Sequence, residues 1–328
     1  MDLEALLQNM TNMRDLHLAL VNISSSMPQS LVKFSSLTFV SLSICNLNGE
    51  FPNSIFQLPK IQAIDLSGNK FLTGFLPEFP YGSLLKELHL SRTRFSGKLP
   101  SSIGNLKALN VFSLYDANFY GELPNSIGSL NSLNILDLFI NNFLGEIPSS
   151  IGNLSQLIRL SFSSNNFNGQ LPSTLGNLVK LPSLDLSNNL FHGKIPSSLG
   201  NLTQLLSLDL SHNYFDGEFP IFLTNLTKLS IIYISSNQLT CPISSEISRF
   251  SNLYSLYLSR NSLTWSIPLP LFTMFSLSNL FLDQNQLNGP LNFQNVSSNL
   301  KSHELGGNKL IELFPRSIAN LSELHGLV

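Results

Sequence analysis

Large apolar residues recur along this chain at a spacing of 24 residues, with a single step of 23 between Leu277 and Leu300. Each recurrence opens the same order of apolar and small polar positions, so the chain contains thirteen complete copies of one unit and partial copies at both ends. A unit of this length cannot bury its apolar residues alone and must stack on its neighbours. The units begin at Met13, Leu37, Ile61, Leu85, Leu109, Leu133, Leu157, Leu181, Leu205, Leu229, Leu253, Leu277, Leu300 and Leu324.

Each unit opens with a pattern that predicts a short strand. Counted from the first apolar residue, positions 1, 4 and 6 are leucine or similar and position 9 is usually asparagine, as in Leu181, Leu184, Leu186 and Asn189. Side chains alternate across a strand, so positions 4 and 6 are predicted to point inward and position 5 outward. A buried asparagine amide can bond backbone groups of its own turn and of the next copy. We therefore expect the asparagines to be structural.

The second half of the unit predicts a turn and a short helical segment. Glycine is usual at position 13, where a tight turn or a close backbone approach is expected. Proline is usual at position 16, which is compatible with the start of a short helix or 3₁₀ segment. Position 11 is phenylalanine in seven successive units, which predicts a buried aromatic column. These residues are Phe71, Phe95, Phe119, Phe143, Phe167, Phe191 and Phe215.

The repeats resemble the plant-specific subclass of extracellular leucine-rich repeats. The segments LDLSNNLFHGKIPSSLG, from Leu184, and LDLSHNYFDGEFP, from Leu208, contain close variants of its L-x-G-x-I-P hallmark. The resemblance implies an α/β repeat solenoid, a right-handed superhelix with a parallel β-sheet on its concave face and short helical or 3₁₀ segments on its convex face. Because a solenoid grows by adding copies, we expect residues 1–328 to form one domain.

Two segments resemble plant receptor-like proteins of the fungal-resistance class: the opening MDLEALLQNMTNMRDLHLALVNISSSMPQSL and the later FLDQNQLNGPLNFQNVSSNL. This resemblance implies ligand recognition at the extracellular side of the plasma membrane, in pathogen perception and defence signalling. The expected ligand is a peptide, a protein or a cell-wall fragment, and the expected partner is a co-receptor kinase. The sequence has no recognisable signal peptide and no run of apolar residues long enough to span a membrane. We expect a segment of a larger receptor.

Composition and motifs argue against several other functions. A formal charge of −2 with only 12% charged residues is unlike a nucleic-acid binder, which needs a basic stripe. Nucleotide-binding, hydrolase and metalloprotease motifs are absent from the sequence, so we expect no enzyme activity, cofactor or metal. The best enzymatic candidates are Asp185 and Asp209, at position 5 of adjacent units and about 5 Å apart. Since L-D-L-S is common in such repeats, we interpret this pair as a solvated acidic ridge.

Candidate binding residues concentrate on the predicted concave face. Position 5 becomes aromatic in three successive units, and exposed aromatics carry much of the energy at interfaces; ordinary cross-strand packing is the alternative explanation. A second aromatic pair at position 7 is flanked by Arg92 and Asp116, for which we expect a surface ion pair. The candidates are Tyr233, Tyr257 and Phe281, with Tyr254 beside them, then Tyr115 and Phe139, the acidic Asp185 and Asp209, and the isolated Arg159, His212 and Arg260.

Seven sequons and two cysteines complete the candidate chemistry. Several sequons are expected to carry glycans if the parent protein is secreted, although the N-L-S/T pattern is partly inherited from the repeat. Cys45 and Cys241 lie eight units apart and are expected to remain free. The sequons are Asn9, Asn22, Asn153, Asn201, Asn225, Asn295 and Asn320.

Two other classes of protein remain possible from the sequence. A polygalacturonase inhibitor uses similar repeats at a similar length, but it carries cysteine-capped ends and fewer repeats. The ectodomain of a leucine-rich-repeat receptor kinase would have the same repeats as a receptor-like protein. Only the sequence that follows Val328 in the gene would distinguish these receptors.

Overall fold

The computed structural model describes residues 3–7, 10, 12–291 and 299–311 and the strand Gly326–Leu327. The chain divides into two compact units, Met1–Phe167 and Asn168–Val328. In most repeats of both units the chain runs through a three-residue strand, a second short strand and a 3₁₀ helix. The single domain expected over residues 1–328 therefore stays a prediction.

The first strand of each repeat joins a parallel sheet, which we call the main sheet of its unit. Neighbouring strands pair residue by residue at the repeat spacing, as in Ser207 with Ile231 and Leu208 with Ile232. In the first unit these strands are Asp15–His17, Phe39–Ser41, Ala63–Asp65, Glu87–His89, Val111–Ser113, Ile135–Asp137 and Arg159–Ser161. In the second unit they are Ser183–Asp185, Ser207–Asp209, Ile231–Tyr233, Ser255–Tyr257, Asn279–Phe281, Ser302–Glu304 and Gly326–Leu327.

The remaining elements are a set of short second strands and the helices that follow them. The second strands are Asn48–Glu50, Phe71–Gly74, Arg94–Gly97, Asn118–Gly121, Asn142–Gly145, Asn166–Gly169, Leu190–Lys194, Tyr214–Gly217, Gln238–Leu239, Thr264–Trp265, Gln286–Gly289 and Lys309–Leu310. The 3₁₀ helices are Gln29–Lys33, Asn53–Gln57, Ser101–Asn105, Asn125–Ser129, Ser149–Asn153, Ser173–Asn177, Ser197–Asn201, Ile221–Asn225 and Ser245–Arg249. In the described part of the chain, the short α-helices are Leu3–Leu7 and Pro270–Thr273. This repeated order confirms the predicted α/β solenoid.

The core of each repeat lies between the main strand and the 3₁₀ helix. Leu184 from a strand and Leu199 from the following helix are both fully buried. Proline starts the helical segment as predicted, since Pro196 is in an extended conformation immediately before Ser197–Asn201. The glycine at position 13 is needed for its backbone conformation, as Gly193 has a φ of 77°.

The aromatic column is buried in six of its seven positions, and Phe71 is the exception, with 57% of its surface exposed. The prediction for Phe71 was wrong because this repeat has one extra residue before its glycine. Gly74 pairs with Phe95, just as Gly97 pairs with Phe119, so the chain is shifted by one position. Side chains alternate along a strand, and Leu72 takes the buried place instead.

Both cysteines are free, as expected. Cys45 replaces the asparagine of position 9 and is buried, with its Sγ 2.9 Å from the carbonyl oxygen of Leu18. Burial raises the pKa of the Cys45 thiol, which keeps it protonated. Within the described residues, the helices are all too short or too polar to cross a lipid bilayer.

Candidate ligand-binding surface

The three aromatic residues of position 5 form a stack on the second unit, which we call the aromatic ladder: Tyr233, Tyr257 and Phe281. The ring centroids of Tyr233 and Tyr257 lie 4.5 Å apart with planes inclined by 23°, and those of Tyr257 and Phe281 lie 4.6 Å apart with planes inclined by 6°. These separations match the spacing of about 4.8 Å between neighbouring strands. One ring per strand therefore lies face to face with the next, and all three remain partly exposed.

The repeat pattern explains why the ladder forms. Each ladder residue ends a main strand and follows a fully buried residue, Ile232, Leu256 or Leu280. Because successive side chains point to opposite faces of a strand, burial of position 4 turns position 5 outward. Parallel pairing in register then places the three rings in one row.

Carboxylates occupy the same row at both ends of the ladder. Asp209 pairs with Tyr233 on one side, and Asp185 pairs with Asp209 on the next strand. On the other side, Phe281 pairs with Glu304, which is partly exposed. Glu304 was not among the residues predicted from the sequence, although counting position 5 from Leu300 across the shorter repeat identifies it.

The two aspartates are held by the backbone that follows them. The Oδ1 atom of Asp209 accepts hydrogen bonds from the backbone N–H of Ser211 at 2.9 Å and from its hydroxyl at 2.6 Å. Asp185 is bonded in the same way by Ser187. Burial raises the pKa of the Asp209 carboxyl, the bonds from Ser211 oppose this shift, and the charge of Asp185 adds to it. The hydrogen bonds thus hold Asp185 and Asp209 in fixed orientations beside the Tyr233 end of the aromatic ladder.

The tyrosine next to Asp209 remains a hydrogen-bond donor at neutral pH. Burial raises the pKa of the Tyr233 hydroxyl, and Tyr257 and Asp209 raise it further. The pKa shift is consistent with a phenol that adjoins a carboxylate and a second ring. The Tyr233 side chain is therefore a neutral phenol that can donate a hydrogen bond.

The other candidates of the second unit lie around the ladder and outside its row. Tyr254 precedes its strand and is 47% exposed. His212 and Arg260 are exposed and follow their strands, each in a turn with a φ of 54°. Within the described part of this unit, no ring contact joins Tyr254 to the ladder. These side chains border the row and do not form part of it.

In the first unit, Tyr115 and Phe139 stack at 5.2 Å with planes inclined by 5°. The expected ion pair between Arg92 and Asp116 was wrong, because the Arg92 guanidinium packs over the Tyr115 ring at 5.1 Å. Its Nη2 also lies 3.3 Å from the Tyr115 hydroxyl. A planar guanidinium stacks well on an aromatic face, so the ring competes successfully with an exposed carboxylate.

Arg159 is not isolated as the sequence suggested. Its Nη2 donates to Oδ2 of Asp137 at 3.0 Å, across neighbouring strands. The register pairs Arg159 with Ile135 and Asp137 with Ser161, so the Arg159 side chain reaches Asp137 diagonally on the same outward face. Sequence position alone did not indicate this contact. Arg159 therefore neutralises a nearly buried carboxylate.

The predicted glycosylation sites that the structure describes are on the surface. Asn22, Asn153, Asn201 and Asn225 are all exposed. Three of them end 3₁₀ helices, away from the main strands: Asn153, Asn201 and Asn225. The sequons at Asn9, Asn295 and Asn320 lie outside the described residues. Use of the sequons remains a prediction.

The described residues contain no group of three or more histidine, cysteine or acidic side chains that could hold a metal ion. The model of the leucine-rich repeat region matches residues 116–282, about half of the chain, and a further leucine-rich repeat model matches residues 84–106. Solenoids of this kind in receptor ectodomains are generally non-catalytic.

Curated relatives are receptor-like proteins of plants. Receptor-like protein 6 of Arabidopsis thaliana is 40% identical over 112 residues, which are 34% of this chain and 11% of that protein. Receptor-like protein Cf-9 of Solanum pimpinellifolium is 37% identical over 109 residues, which are 32% of this chain and 12% of that protein. The matched segments thus cover only a small part of each relative.

A solved structure with a similar fold is the plant peptide hormone receptor RGFR1 in complex with RGF2. It superimposes with a TM-score of 0.84 at 34% sequence identity, covering 96% of this chain and 55% of that receptor. The repeat spacing, the stacked parallel strands and the matched family model agree with one another. This chain belongs to the leucine-rich-repeat family, with repeats of the kind found in plant receptor-like proteins.

Proposed function

We propose that the main sheet of the second unit binds a peptide or protein ligand, as part of the extracellular side of a plant cell-surface receptor. The aromatic ladder is the observation that carries this proposal. Tyr233, Tyr257 and Phe281 are rigidly stacked, partly exposed and lie side by side on a regular sheet. Rigid aromatic side chains lose little conformational entropy on binding, and they dominate interface energetics.

The relatives support the same function. The RGFR1 structure is described as a peptide hormone receptor with its ligand, and its fold covers nearly all of this chain. Receptor-like protein 6 and Cf-9 favour a receptor-like protein acting in pathogen perception at the plasma membrane. Signalling would then be delegated to a partner kinase, which acts as co-receptor.

A capture experiment tests this function. The full chain is immobilised and exposed to peptides and small proteins from plant extracellular fluid, and the retained molecules are identified by mass spectrometry. Replacing both ladder tyrosines, Tyr233→Ala with Tyr257→Ala, is expected to abolish retention. Removing one central aromatic side chain typically weakens the free energy of binding by about 2 kcal/mol, which lowers the affinity roughly 30-fold.

The matched control is Tyr214→Ala, which removes a tyrosine that is 49% exposed on the second strand Tyr214–Gly217. This variant should retain the same molecules as the unchanged chain. Equal retention by all three proteins would show that the ladder is not the site. Retention of nothing by the unchanged chain would contradict ligand recognition itself.

A further inference from the structure

The geometry of the ladder limits what a ligand can contact. Because the rings cover one another face to face, the central faces are already occupied, and a ligand reaches only the ring edges and the two outer faces. The edge of an aromatic ring is electropositive and its face is electronegative. The outer faces of Tyr233 and Phe281 are therefore places where a cation is attracted.

Each of these outer faces has a carboxylate beside it. Asp209 is the strand neighbour of Tyr233, with Asp185 one strand further, and Glu304 is the strand neighbour of Phe281. A cation placed above Asp209 or Glu304 would meet a ring face and a carboxylate together. A cation-accepting end, with two aspartates on one side and one glutamate on the other, thus lies on each side of the aromatic ladder.

The rest of this strand face is also free of positive charge. In the described strands and turns of the second unit, positions 3, 5 and 7 carry Asp185, Asp209, Asp283 and Glu304 but no lysine or arginine. The nearest basic residues, Arg260 and Lys301, lie after and before their strands. The row therefore complements a ligand that is basic at both ends and apolar in the middle.

The distance between the two ends fits an extended peptide. Asp209 and Glu304 are separated by four strand steps, or about 19 Å at the usual strand spacing. An extended chain advances about 3.3 Å per residue, so this distance corresponds to about six residues. Side chains of an extended peptide alternate, so residues separated by an even number point to the same side.

We propose that the aromatic ladder binds an extended peptide with two basic side chains six positions apart, one at Asp185 and Asp209 and the other at Glu304. Apolar side chains at the second and fourth positions between them contact the ring edges of Tyr233, Tyr257 and Phe281. This inference rests on the proposed function, because it specifies the ligand chemistry of the same site.

Four synthetic peptides carrying a fluorescent label test the inference by fluorescence anisotropy with the full chain. The first is Arg-Ser-Leu-Ser-Leu-Ser-Arg, and two others replace both arginines by glutamine or by glutamate. The fourth, Arg-Ser-Arg-Ser-Leu-Ser-Leu, has the composition of the first but the wrong spacing. We expect the first to bind about tenfold more tightly than the glutamine and wrongly spaced peptides, and the glutamate peptide to bind weakest.

Variants of the chain separate the charge from the rings. Asp209→Asn and Glu304→Gln should each lower the affinity for the first peptide about threefold. Neither substitution should change the affinity for the glutamine peptide. Asp216→Asn and Glu218→Gln remove exposed carboxylates outside the row and serve as matched controls. The amide introduced by Asp209→Asn keeps an oxygen that can accept from Ser211, so the turn is retained.

The results show whether the ladder prefers a peptide with basic residues at both ends. Equal binding of the first and glutamine peptides, equal binding of the two spacings, or no effect of Asp209→Asn and Glu304→Gln would overturn it. If Tyr257→Ala still weakened every peptide in that case, the proposed ligand-binding function would survive without the basic ligand. Failure of all four peptides to bind would overturn the inference, while the capture experiment would still test the function.

Discussion

At the scale of single residues, the asparagines of position 9 connect one repeat to the next. The side chain of Asn237 donates to the carbonyl oxygens of Leu210 at 3.0 Å and Ile234 at 3.1 Å, and it accepts from the backbone N–H of Phe215 at 3.0 Å. One amide thus satisfies three buried backbone groups from two repeats. Buried polar groups without partners are expensive, so these contacts fix the stacking.

Asn237→Ala should lower the free energy of unfolding by about 2–4 kcal/mol, since it leaves buried backbone groups unsatisfied. Asn237→Cys should have a smaller effect, because Cys45 occupies this position elsewhere and its Sγ approaches the carbonyl oxygen of Leu18. Urea unfolding followed by circular dichroism measures both. An alanine variant as stable as the cysteine variant would contradict the structural role of the amide.

A second residue-scale feature is His303, which takes the inward position 4 in place of leucine. It is fully buried, and neither ring nitrogen has a hydrogen-bond partner within the structure described. Burial lowers the pKa of His303 from its usual value near 6.5. The charged form is therefore disfavoured in the folded chain, while the unfolded chain takes up a proton more readily.

Stability should consequently fall as the pH drops below about 6.5, since only the unfolded state then gains a proton at His303. The loss should stop growing once the pH is below the lowered pKa of the folded state. Melting temperatures measured at about pH 8 and about pH 5 test this. His303→Leu should raise the melting temperature at both values and reduce the difference between them, whereas an unchanged difference would exclude His303 as its origin.

At the scale of elements, the 3₁₀ helices of neighbouring repeats approach closely at glycine. An added Cβ at Gly128 would lie 2.3 Å from the carbonyl oxygen of Ser150 in the next helix. That atom belongs to the backbone and cannot move without shifting the helix. By contrast, a Cβ at Gly200 would lie 3.4 Å from the nearest atom, in the Phe222 ring. The same sequence position thus tolerates different side chains in different repeats.

Gly128→Ala is expected to reduce the free energy of unfolding by about 1–3 kcal/mol, because it forces two helices apart. Gly200→Ala is the matched control and should change stability by less than half as much. Chemical unfolding of both variants gives the comparison. Equal losses would mean that the close helix contact at Ser150 does not limit the repeat spacing.

At the scale of the whole molecule, charged side chains make up only 12% of the residues, so they provide little hydration of the surface. Exposed apolar side chains occur on the second strands, including Phe71, Tyr120, Leu144 and Tyr214. The described sequons offer a second source of hydration, since all four are exposed. In the second unit, Asn201 and Asn225 end 3₁₀ helices and are not part of the main strands that carry the aromatic ladder.

When the chain is secreted from plant cells behind a signal peptide, peptide mapping by mass spectrometry should find glycans at Asn22, Asn153, Asn201 and Asn225. Replacing these four asparagines by glutamine should lower solubility and leave the circular dichroism spectrum unchanged, because glycans hydrate the surface without shaping the core. Asn105 and Asn177 share the repeat position of Asn153, Asn201 and Asn225 but lack a sequon and should remain unmodified. Full solubility without glycans would contradict this role.

The repeat period alone predicted much of the architecture, because a pattern copied at constant spacing leaves few ways to bury its leucines. It indicated the strands, the inward positions 4 and 6, the structural asparagines and the outward direction of Tyr233, Tyr257 and Phe281. It did not predict the exposure of Phe71, since one inserted residue reverses the facing of a strand. It also missed the contacts of Arg159 with Asp137 and of Arg92 with Tyr115, which depend on pairing between repeats. Glu304 was missed for another reason, because the shorter repeat shifts the count by one residue.

The sequence by itself determined that this protein is a stack of leucine-rich repeats with an outward row of polar and aromatic residues. That information is periodic and local, because burial and strand alternation act within each repeat. Only the tertiary structure decided that the ladder rings stack face to face and that Arg92 packs on the Tyr115 ring. Those relations depend on the parallel register between strands and on the directions of side chains in three dimensions. The repeat spacing alone does not specify either of them.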